Sequence, residues 1–503
     1  MRECEIVECI EEIERCYPVE QWRLEGRLVW PLVKTILCDY LADYTAEERT
    51  DSKEANHQCG SAVPANEPAA SRNGWAKFDH VKKALSPSGL LVRCEASDVM
   101  IFHHNNARNL LLDDGTAFDY NLDPFTLLLE DSHKILSLEY MAGSNHAVTF
   151  RPSSMMDGML ERAFLCARIR AKAKKSAVVG ENMDLPEYDS FLEQFSKQYP
   201  GEGDTLLSVQ ELRKQVLFMN RLSRAYAALL RKSGVRFVIA GCGYGLDTMS
   251  LFMACRDSGV KCMEVQHGLA AGAGHRWYTS WRKMPKDSQR YEMLPDCYWV
   301  WSESDAQVMN RWCQGIHTVI PGCKPISCVM DRMEALTKQK PFPIDDHKKI
   351  VLLSLQPIPY PRWIKSVIEE TCQQVNWIIR KHPRFEENQA AFLQSLGSLP
   401  NVYVEGMETI LLEKILAKTS VHITSHSTVC VDALDFGVPS IIFGGEYADL
   451  FQKQIEEKQI FVGTHEQAML DLLWQLTKQD HQVSGIQSRG DRAKKLLEQL
   501  VEA

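Results

Sequence analysis

Hydroxyl-bearing and basic residues collect in this sequence where short apolar runs end. In "VHITSHSTVCVDAL" an apolar run is followed by four polar residues and then by a helix-like segment: Ser425, His426, Ser427 and Thr428. One hydroxyl group is enough to cap a helix, and we assign one of them to that role. The remaining donors, beside a histidine at the beginning of a helix, favour an anion site. We interpret the cluster as a cradle for a phosphate group.

A second basic cluster lies in "NWIIRKHPRF", where Arg380 and Lys381 end an apolar run. The proline after His382 favours an extended backbone at that histidine, which aims its side chain outward. Arg384 carries the fork of donors that can bind a diphosphate through two hydrogen bonds. A basic strand end exposed to water is the alternative for Lys381. The pattern predicts that Lys381, His382 and Arg384 bind a donor phosphate, and we add Gly322 of "PGCKP" to this donor-binding group.

The glycine-rich loop "GCGYGLD" also follows an apolar run and precedes a helix-like segment. Its G-x-G-x-G spacing differs from the G-x-G-x-x-G of dinucleotide-binding loops, although Glu264 lies about where a ribose-binding acid would be. The loop is also similar to the S-adenosylmethionine loop of methyltransferases, but Ile239 stands where that family has an acidic residue. A turn or packing role is therefore the preferred interpretation of these glycines.

His267 in "EVQHGLAAGAGHRWY" stands at the end of a strand-like run, before a loop of small residues. A neutral imidazole accepts a proton from a hydroxyl group at physiological pH, so His267 is a candidate general base. A structural histidine that caps the next element is the alternative. We expect His275, His104 and Tyr244 to line the acceptor site or the cleft.

The elements that must position these residues are strands alternating with helices. One alternation begins at residue 235 and a second at residue 348. Such a pattern specifies parallel sheets with helices on both faces, and ligands bind at the carboxyl ends of their strands. The predicted fold class is therefore α/β, with two Rossmann-like domains facing each other across a cleft.

The length of 503 residues exceeds what one hydrophobic core normally holds, which also predicts two domains. The expected first domain is an acceptor-side domain at 1–326, with helices in its first forty-five residues, a loop at 46–75 and a helical insert at about 155–233. A connection at 327–347 leads to a nucleotide-donor domain at 348–480. The C-terminal helix at 481–503 is expected to cross back to the first domain.

The composition excludes several classes of protein. With 45% apolar and 24% charged residues the chain is predicted to be globular, and its net charge of −9 argues against nucleic-acid binding. No apolar run approaches the length of a membrane-spanning helix. The basic run "ARIRAKAKK" favours a solvated helix face, and contact with an anionic membrane surface is the alternative.

The sixteen cysteines lack the spacing of zinc sites or of a disulfide framework. We therefore expect reduced cysteines in the core and no metal ion. The predicted location is the cytoplasm, with peripheral contact at the inner face of the plasma membrane left open.

The order of these motifs resembles that of GT-B glycosyltransferases. The "QHG" loop, the "HP" loop and "SHST…DAL..GVPSIIFG" are similar to segments of bacterial capsule and surface polysaccharide enzymes, among them Kdo transferases, sialyltransferases and CDP-glycerol glycerophosphotransferases. "WRLEGRLVWPLVK" and "DVMIFHHNNARNLLLDDGTAFDYNLDP" also resemble segments of polysaccharide transferases. The resemblance covers most of the chain outside residues 46–75 and the helical insert.

This resemblance implies that His382, Ser427 and Thr428 contact the donor phosphate and that His267 deprotonates the acceptor hydroxyl. Sialyltransferase-like members use an acidic residue as the base, and Asp247 is the substitute candidate here. The implied donor is a sugar linked to CMP, CDP or UDP, and the implied acceptor is a glycan or a lipid-linked saccharide. No D-x-D triplet occurs, so no metal ion or other cofactor is expected.

Four other functions stay open at this point. A UDP-N-acetylglucosamine 2-epimerase shares the fold and the serine loop, but it would need several acidic residues near its substrate. A CDP-glycerol glycerophosphotransferase would use the same base. A methyltransferase would leave residues 348–480 unexplained, and a scaffolding protein would not need the donor-site loops.

Overall fold

The computed structural model describes most of the chain, namely residues 3–50, 96–104, 108, 110–140, 148–155, 183–268, 284, 291–313, 317–337, 344, 347–356, 358–382, 387–404, 406–407, 410–478 and 486–502. Its contacts divide the chain into two compact units. Unit 1 comprises Met1–Arg108, Asp119–Gly322 and Leu497–Ala503, and unit 2 comprises Asn109–Phe118 and Cys323–Leu496.

The strands are β1 (Arg23–Leu24), β2 (Arg27–Leu28), β3 (Val99–His104), β4 (Leu110–Leu111), β5 (Ala117–Phe118), β6 (Ile135–Tyr140), β7 (Ser154–Met155), β8 (Met183–Asp184), β9 (Phe237–Gly241), β10 (Lys261–Val265), β11 (Cys297–Val300), β12 (Thr318–Pro321), β13 (Ile350–Ser354), β14 (Asn376–Arg380), β15 (Val402–Tyr403), β16 (Thr419–Thr424), β17 (Ser440–Phe443) and β18 (Ile460–Gly463).

The α-helices are α1 (Glu3–Cys16), α2 (Trp30–Thr50), α3 (Asp123–Leu129), α4 (Tyr188–Gln198), α5 (Gly203–Leu206), α6 (Val209–Ser233), α7 (Leu246–Ser258), α8 (Glu303–Cys313), α9 (Met330–Leu336), α10 (Arg362–Thr371), α11 (Glu387–Leu396), α12 (Leu412–Leu416), α13 (Val429–Asp435), α14 (Gln452–Glu456), α15 (Glu466–Thr477) and α16 (Ile486–Glu502). Short 3-10 helices lie at Val19–Gln21, Pro325–Val329 and Gly445–Phe451.

The main sheet of unit 1 has the strand order β12-β11-β10-β9-β3-β6-β7. All of its neighbouring strands are parallel. The first strand of this sheet along the chain is β3. Strands β6 and β7 lie on one side of it, and β9 to β12 lie on the other. This is the strand order of a Rossmann fold, and the order reverses between β3 and β9.

The main sheet of unit 2 repeats this arrangement with the order β15-β14-β13-β16-β17-β18. Its strands are also parallel throughout. The strand order reverses between β13 and β16, because β14 and β15 lie on one side of β13 and the later strands lie on the other. The predicted α/β class with two Rossmann-like parallel sheets is confirmed.

The sequence folds this way because its central strands are apolar along their whole length. Every residue of β9 and of β13 is buried, as expected for strands that are covered by helices on both faces. A covering helix needs only one apolar stripe. In α10, for example, the buried residues include Ile364, Val367 and Ile368, at the spacing of one helix face.

The expectation that the first forty-five residues are only helical is wrong at Arg23–Leu28. There β1 and β2 form an antiparallel hairpin. Its turn residues Glu25 and Gly26 have φ values of +51° and +82°. Positive φ at both central residues matches the twist of a two-residue hairpin, so this local turn overrides the helical pattern around it.

The expectation that all cysteines are reduced is also wrong, because Cys323 and Cys328 form a disulfide. The 3-10 helix at Pro325–Val329 turns the chain back on itself, and the two Cα atoms lie 6.7 Å apart. That separation is within the range that a disulfide spans. The spacing matches no recognisable motif, so this disulfide could not be predicted from the sequence.

A buried histidine ties the three central strands of unit 2 together. His422 on β16 has Nδ1 2.9 Å from Ser440 Oγ on β17 and Nε2 3.0 Å from Ser354 Oγ on β13. Burial lowers the pKa of His422 to about 3, so the ring is neutral. A neutral ring donates from one nitrogen and accepts at the other, and the two serine hydroxyls therefore take opposite roles.

This bridge makes the stability of unit 2 sensitive to acid. The unfolded histidine titrates near 6.5, whereas the folded one stays neutral until about pH 3, so the unfolded state binds the extra proton between these values. The free energy of unfolding should therefore fall as the pH drops from about 6.5. Between pH 7 and pH 5 this histidine should account for a loss of about 2 kcal/mol.

Urea denaturation at both pH values would test this with His422→Gln, which keeps a donor and an acceptor but does not titrate. The variant should show a smaller difference between the two pH values than the wild type. The exposed His465, replaced by Asn to preserve its cap on Ala468, is the control and should behave like the wild type. Equal losses in His422→Gln and wild type would contradict the prediction.

The beginning of α16 packs tightly against the disulfide loop. A Cβ atom at Gly490 would lie 2.7 Å from the backbone carbonyl oxygen of Cys328. Alanine usually stabilises a helix interior by about 1 kcal/mol over glycine, but here it would push against backbone that cannot rotate away.

We expect Gly490→Ala to lower the free energy of unfolding by about 1–3 kcal/mol, contrary to its helix propensity. The exposed neighbour Asp491 gives a matched control, since Asp491→Ala meets no such contact. Urea denaturation of both variants measures the difference. A Gly490→Ala protein as stable as the control would show that the helix shifts freely at this contact.

Candidate functional site

The strand reversal of unit 2 places two predicted loops close together. His382 follows β14, and the residues 425–428 follow β16, on the other side of the central strand β13. Side chains after these strands share the carboxyl edge of one sheet, where parallel folds bind ligands. The two loops approach each other through His382 and His426, which interact electrostatically.

The loop after β16 is held by its own hydroxyl groups. Ser425 Oγ lies 2.8 Å from His426 Nδ1. Ser427 Oγ accepts a hydrogen bond from the backbone N–H of Val429 at 3.2 Å, which makes it the capping hydroxyl that the sequence predicted. Thr428 is the first residue before α13 and makes no side-chain cap. Two roles are thus structural, and they fix the loop in one conformation.

His426, at this edge, is neutral at physiological pH. Burial, and next to it the proximity of His382, lower the pKa of His426 to about 4. The backbone N–H of His382 donates to Gln389 Oε1 at 3.0 Å, which anchors the end of β14 to α11. A neutral imidazole can still hydrogen-bond a phosphate oxygen, so this edge is suited to binding an anion through polar groups.

A buried ion pair lies one turn into α13. Lys324 Nζ contacts Asp432 Oδ1, and both side chains are nearly inaccessible. Burial, together with the charge of Asp432, raises the pKa of the neighbouring Glu413 to about 8. The sequence analysis assigned no role to these three residues. Lys324 compensates the charge of Asp432 within unit 2. Asp432 therefore leaves no uncompensated negative charge behind the loop of residues 425–428.

The glycine-rich loop of unit 1 is occupied by a carboxylate. The backbone N–H of Gly243 donates to Glu264 Oε1 at 3.0 Å, and a Cβ atom at Gly243 would collide with the same carboxylate. Cys242 has a φ of +52°, which few residues other than glycine adopt. The Glu264 carboxylate therefore binds the glycine-rich loop, and a phosphate placed in this loop would meet a negative charge. The packing interpretation of these glycines is supported by this geometry.

His267 and Tyr244 are brought into direct contact beside that loop. His267 Nε2 lies 3.0 Å from the Tyr244 hydroxyl oxygen, and its Nδ1 lies 4.0 Å from Glu264 Oε1. The His267 side chain is 13% exposed, which leaves one edge accessible. Asp247, the other candidate base, lies in the first turn of α7 with its carboxylate against Gly245, and it is 8% exposed.

Sequence reasoning missed a buried network where β3 ends. His103 Nδ1 lies 3.0 Å from Asp119 Oδ2, and Arg108 binds both Asp123 and Glu139, at 2.7 and 2.8 Å. The signal was present, because a histidine and three carboxylates interrupt otherwise apolar segments. The residue predicted to line the acceptor site or the cleft was His104 instead. It is the last residue of β3, and its side chain lies outside the described residues.

The other predicted site residues are His275, Arg384, Lys381 and Gly322. His275 and Arg384 lie outside the described residues. Lys381 is half-buried directly after β14. Gly322 ends unit 1, where a Cβ atom would collide with the indole ring of Trp299. Packing therefore explains this glycine without a donor.

Two further findings concern the part of the chain that the structure describes. No group of three or more histidine, cysteine or carboxylate side chains there is arranged to hold a metal ion. No helix in those residues has both the length and the apolar character needed to cross a bilayer.

No family model matches the chain, and no curated protein matches it. Several solved structures are similar in fold. The UDP-GlcNAc 2-epimerase of Neisseria meningitidis, bound to UDP-GlcNAc, is 13% identical over 81% of this chain and 100% of its own, with a TM-score of 0.46. The same enzyme from Methanocaldococcus jannaschii is 12% identical over 81% and 100%, with a TM-score of 0.46.

The wall teichoic acid polymerase TagF is 10% identical over 85% of this chain and 95% of its own, with a TM-score of 0.41. Identities of this size do not transfer the role of any residue.

Proposed function

We propose that the protein transfers a sugar from a nucleotide-activated donor to a hydroxyl group of a glycan or lipid-linked acceptor. The observation that carries this proposal is the pairing of His382 and His426 at the strand reversal of unit 2. Two loops from opposite sides of β13 supply these histidines, and buried Ser425 and Ser427 hold one of the loops in place.

Unit 2 would bind the phosphate of the donor. Imidazole and hydroxyl groups can hydrogen-bond phosphate oxygens, and the buried Lys324–Asp432 pair leaves no net charge behind them. Negative charge develops on this phosphate when its bond to the sugar breaks. Preorganised donors aimed at that charge lower the barrier without having to move during the reaction.

Unit 1 would supply the base. Its glycine loop is closed to phosphates by Glu264, but a neutral hydroxyl group is not repelled by a carboxylate. His267 would take the proton of the acceptor hydroxyl while the acceptor oxygen bonds to the anomeric carbon. The bond between that carbon and the donor phosphate breaks, and its electron pair leaves with the nucleotide.

A UDP-GlcNAc 2-epimerase is the second candidate, and one observation favours it. The carboxylates of Asp119, Asp123 and Glu139 gather where β3 ends, and epimerisation needs acidic groups near the substrate. These carboxylates are buried and hydrogen-bonded to Arg108 or His103, which fits a structural network better than a proton shuttle.

Thermal shift with CMP, CDP, UDP, GDP and S-adenosylhomocysteine would test the donor site. One nucleotide should stabilise the protein, by about 2.7 kcal/mol at one hundred times its dissociation constant. His382→Ala and His426→Ala should each weaken the binding of that nucleotide at least about tenfold, because each removes a hydrogen bond to a charged phosphate. His465→Asn should bind it like the wild type.

The same nucleotide identifies which sugar donor to use in a transfer assay. Incubating UDP-GlcNAc with the protein in deuterium oxide separates the two candidates, since a 2-epimerase exchanges the hydrogen at C2 and a transferase does not. Stabilisation by S-adenosylhomocysteine alone, unchanged in both histidine variants, would overturn the proposed function.

A further inference from the structure

We propose that Tyr244 is a catalytic residue that passes the proton of the acceptor hydroxyl to His267. This inference rests on the proposed function, and it assigns the group that touches the acceptor. The residues that carry it lie in unit 1, and Tyr244 and His267 themselves lie on two loops that leave neighbouring strands.

The positions of the two side chains follow from the register of the sheet. Strands β9 and β10 are parallel neighbours, with Gly241 paired to Val265. Tyr244 comes three residues after the first and His267 two residues after the second, so both side chains leave the sheet at the same level. Their ring centroids are 5.2 Å apart at an interplanar angle of 46°, which holds the hydroxyl against the imidazole.

The Tyr244 hydroxyl also hydrogen-bonds the thiol of Cys242. Cys242 has a φ of +52°, and a non-glycine residue in that conformation is often functional. Burial raises the pKa of the thiol to about 12 and also raises that of the phenol, so both keep their protons. One hydroxyl thus lies between a protonated thiol and an imidazole.

The charges around this contact favour proton uptake by His267. Glu264 Oε1 is 4.0 Å from His267 Nδ1 on the side away from Tyr244. Asp39 of α2 adds a further negative field at the phenol. The Glu264 carboxylate stabilises the imidazolium that forms when Nε2 accepts a proton.

Two protons move in the proposed step. The acceptor O–H proton passes to Tyr244 Oη while the phenol proton passes to His267 Nε2, and the acceptor oxygen bonds to the anomeric carbon of the donor. The bond from that carbon to the phosphate oxygen breaks, and the phosphate leaves with the electron pair. Tyr244 ends the step neutral and His267 ends it as an imidazolium.

Tyr244→Phe tests this step because it removes one oxygen atom and keeps the ring that packs on His267. Tyr199→Phe is the matched control, since the Tyr199 hydroxyl also lies beside a thiol, 3.5 Å from Cys9 Sγ. We expect Tyr244→Phe to lower kcat for transfer about a hundredfold and to leave nucleotide affinity unchanged. Tyr199→Phe should match the wild type in both.

A second measurement does not depend on activity. Diethyl pyrocarbonate acylates a histidine nitrogen through its lone pair, and mass spectrometry of the modified peptide reports the rate at His267. This rate should rise in Tyr244→Phe, because the phenol no longer occupies Nε2, and it should not change in Tyr199→Phe.

The outcomes separate the two proposals. If the wild type transfers sugar and Tyr244→Phe keeps its kcat within about twofold, the role of Tyr244 is overturned and the proposed function stands. An unchanged acylation rate at His267 would also overturn it. If the wild type transfers no sugar from the donor whose nucleotide it binds, the proposed function fails, and the role of Tyr244 falls with it.

Discussion

Parallel pairing on both sides of a central strand is the constraint on which the described structure depends. Strands β3 and β13 each have a parallel neighbour on either side, so every chain that leaves the sheet at its carboxyl edge must return over one face. Successive strands are added first to one side and then to the other, and the loops beside each central strand diverge. Each unit therefore has polar loops on both sides of its central strand, at the carboxyl edge of its sheet.

The two edges differ in charge, and that difference divides the chemistry between them. In unit 1 the carboxylate of Glu264 lies inside the glycine loop and faces His267, which suits a base and a neutral hydroxyl. In unit 2 the groups at the edge are hydroxyls and imidazoles, of which His426 is neutral because burial lowers its pKa to about 4, and Asp432 is compensated by Lys324. Under the proposed function, the second edge binds a phosphate and the carboxylate at the first edge would repel one. The fold is shared, and the side chains decide which ligand each copy of it can bind.

Much of the fold was predictable because it depends on local pattern. Apolar runs with strand length, separated by helical periodicity, specified strands β9–β12 of unit 1 and β13–β17 of unit 2, and residues directly after a run, such as His267 and His382, had to lie at an edge. What failed depends on contacts between distant residues. Glu264 lies twenty-one residues from Gly243, and only the register of β9 with β10 brings its carboxylate under that glycine. The network around His103 likewise joins segments whose spacing has no motif.

The His422 bridge has an evolutionary consequence. Its hydrogen bonds run in one direction through Ser354, the ring and Ser440, so a change at any one of the three positions leaves a buried polar atom without its partner. Substitutions there should be epistatic, each harmful alone and tolerable only when all three become apolar together. Related sequences are thus expected to keep the trio or to lose it as a whole, and covariation at these positions would reveal which lineages share this core.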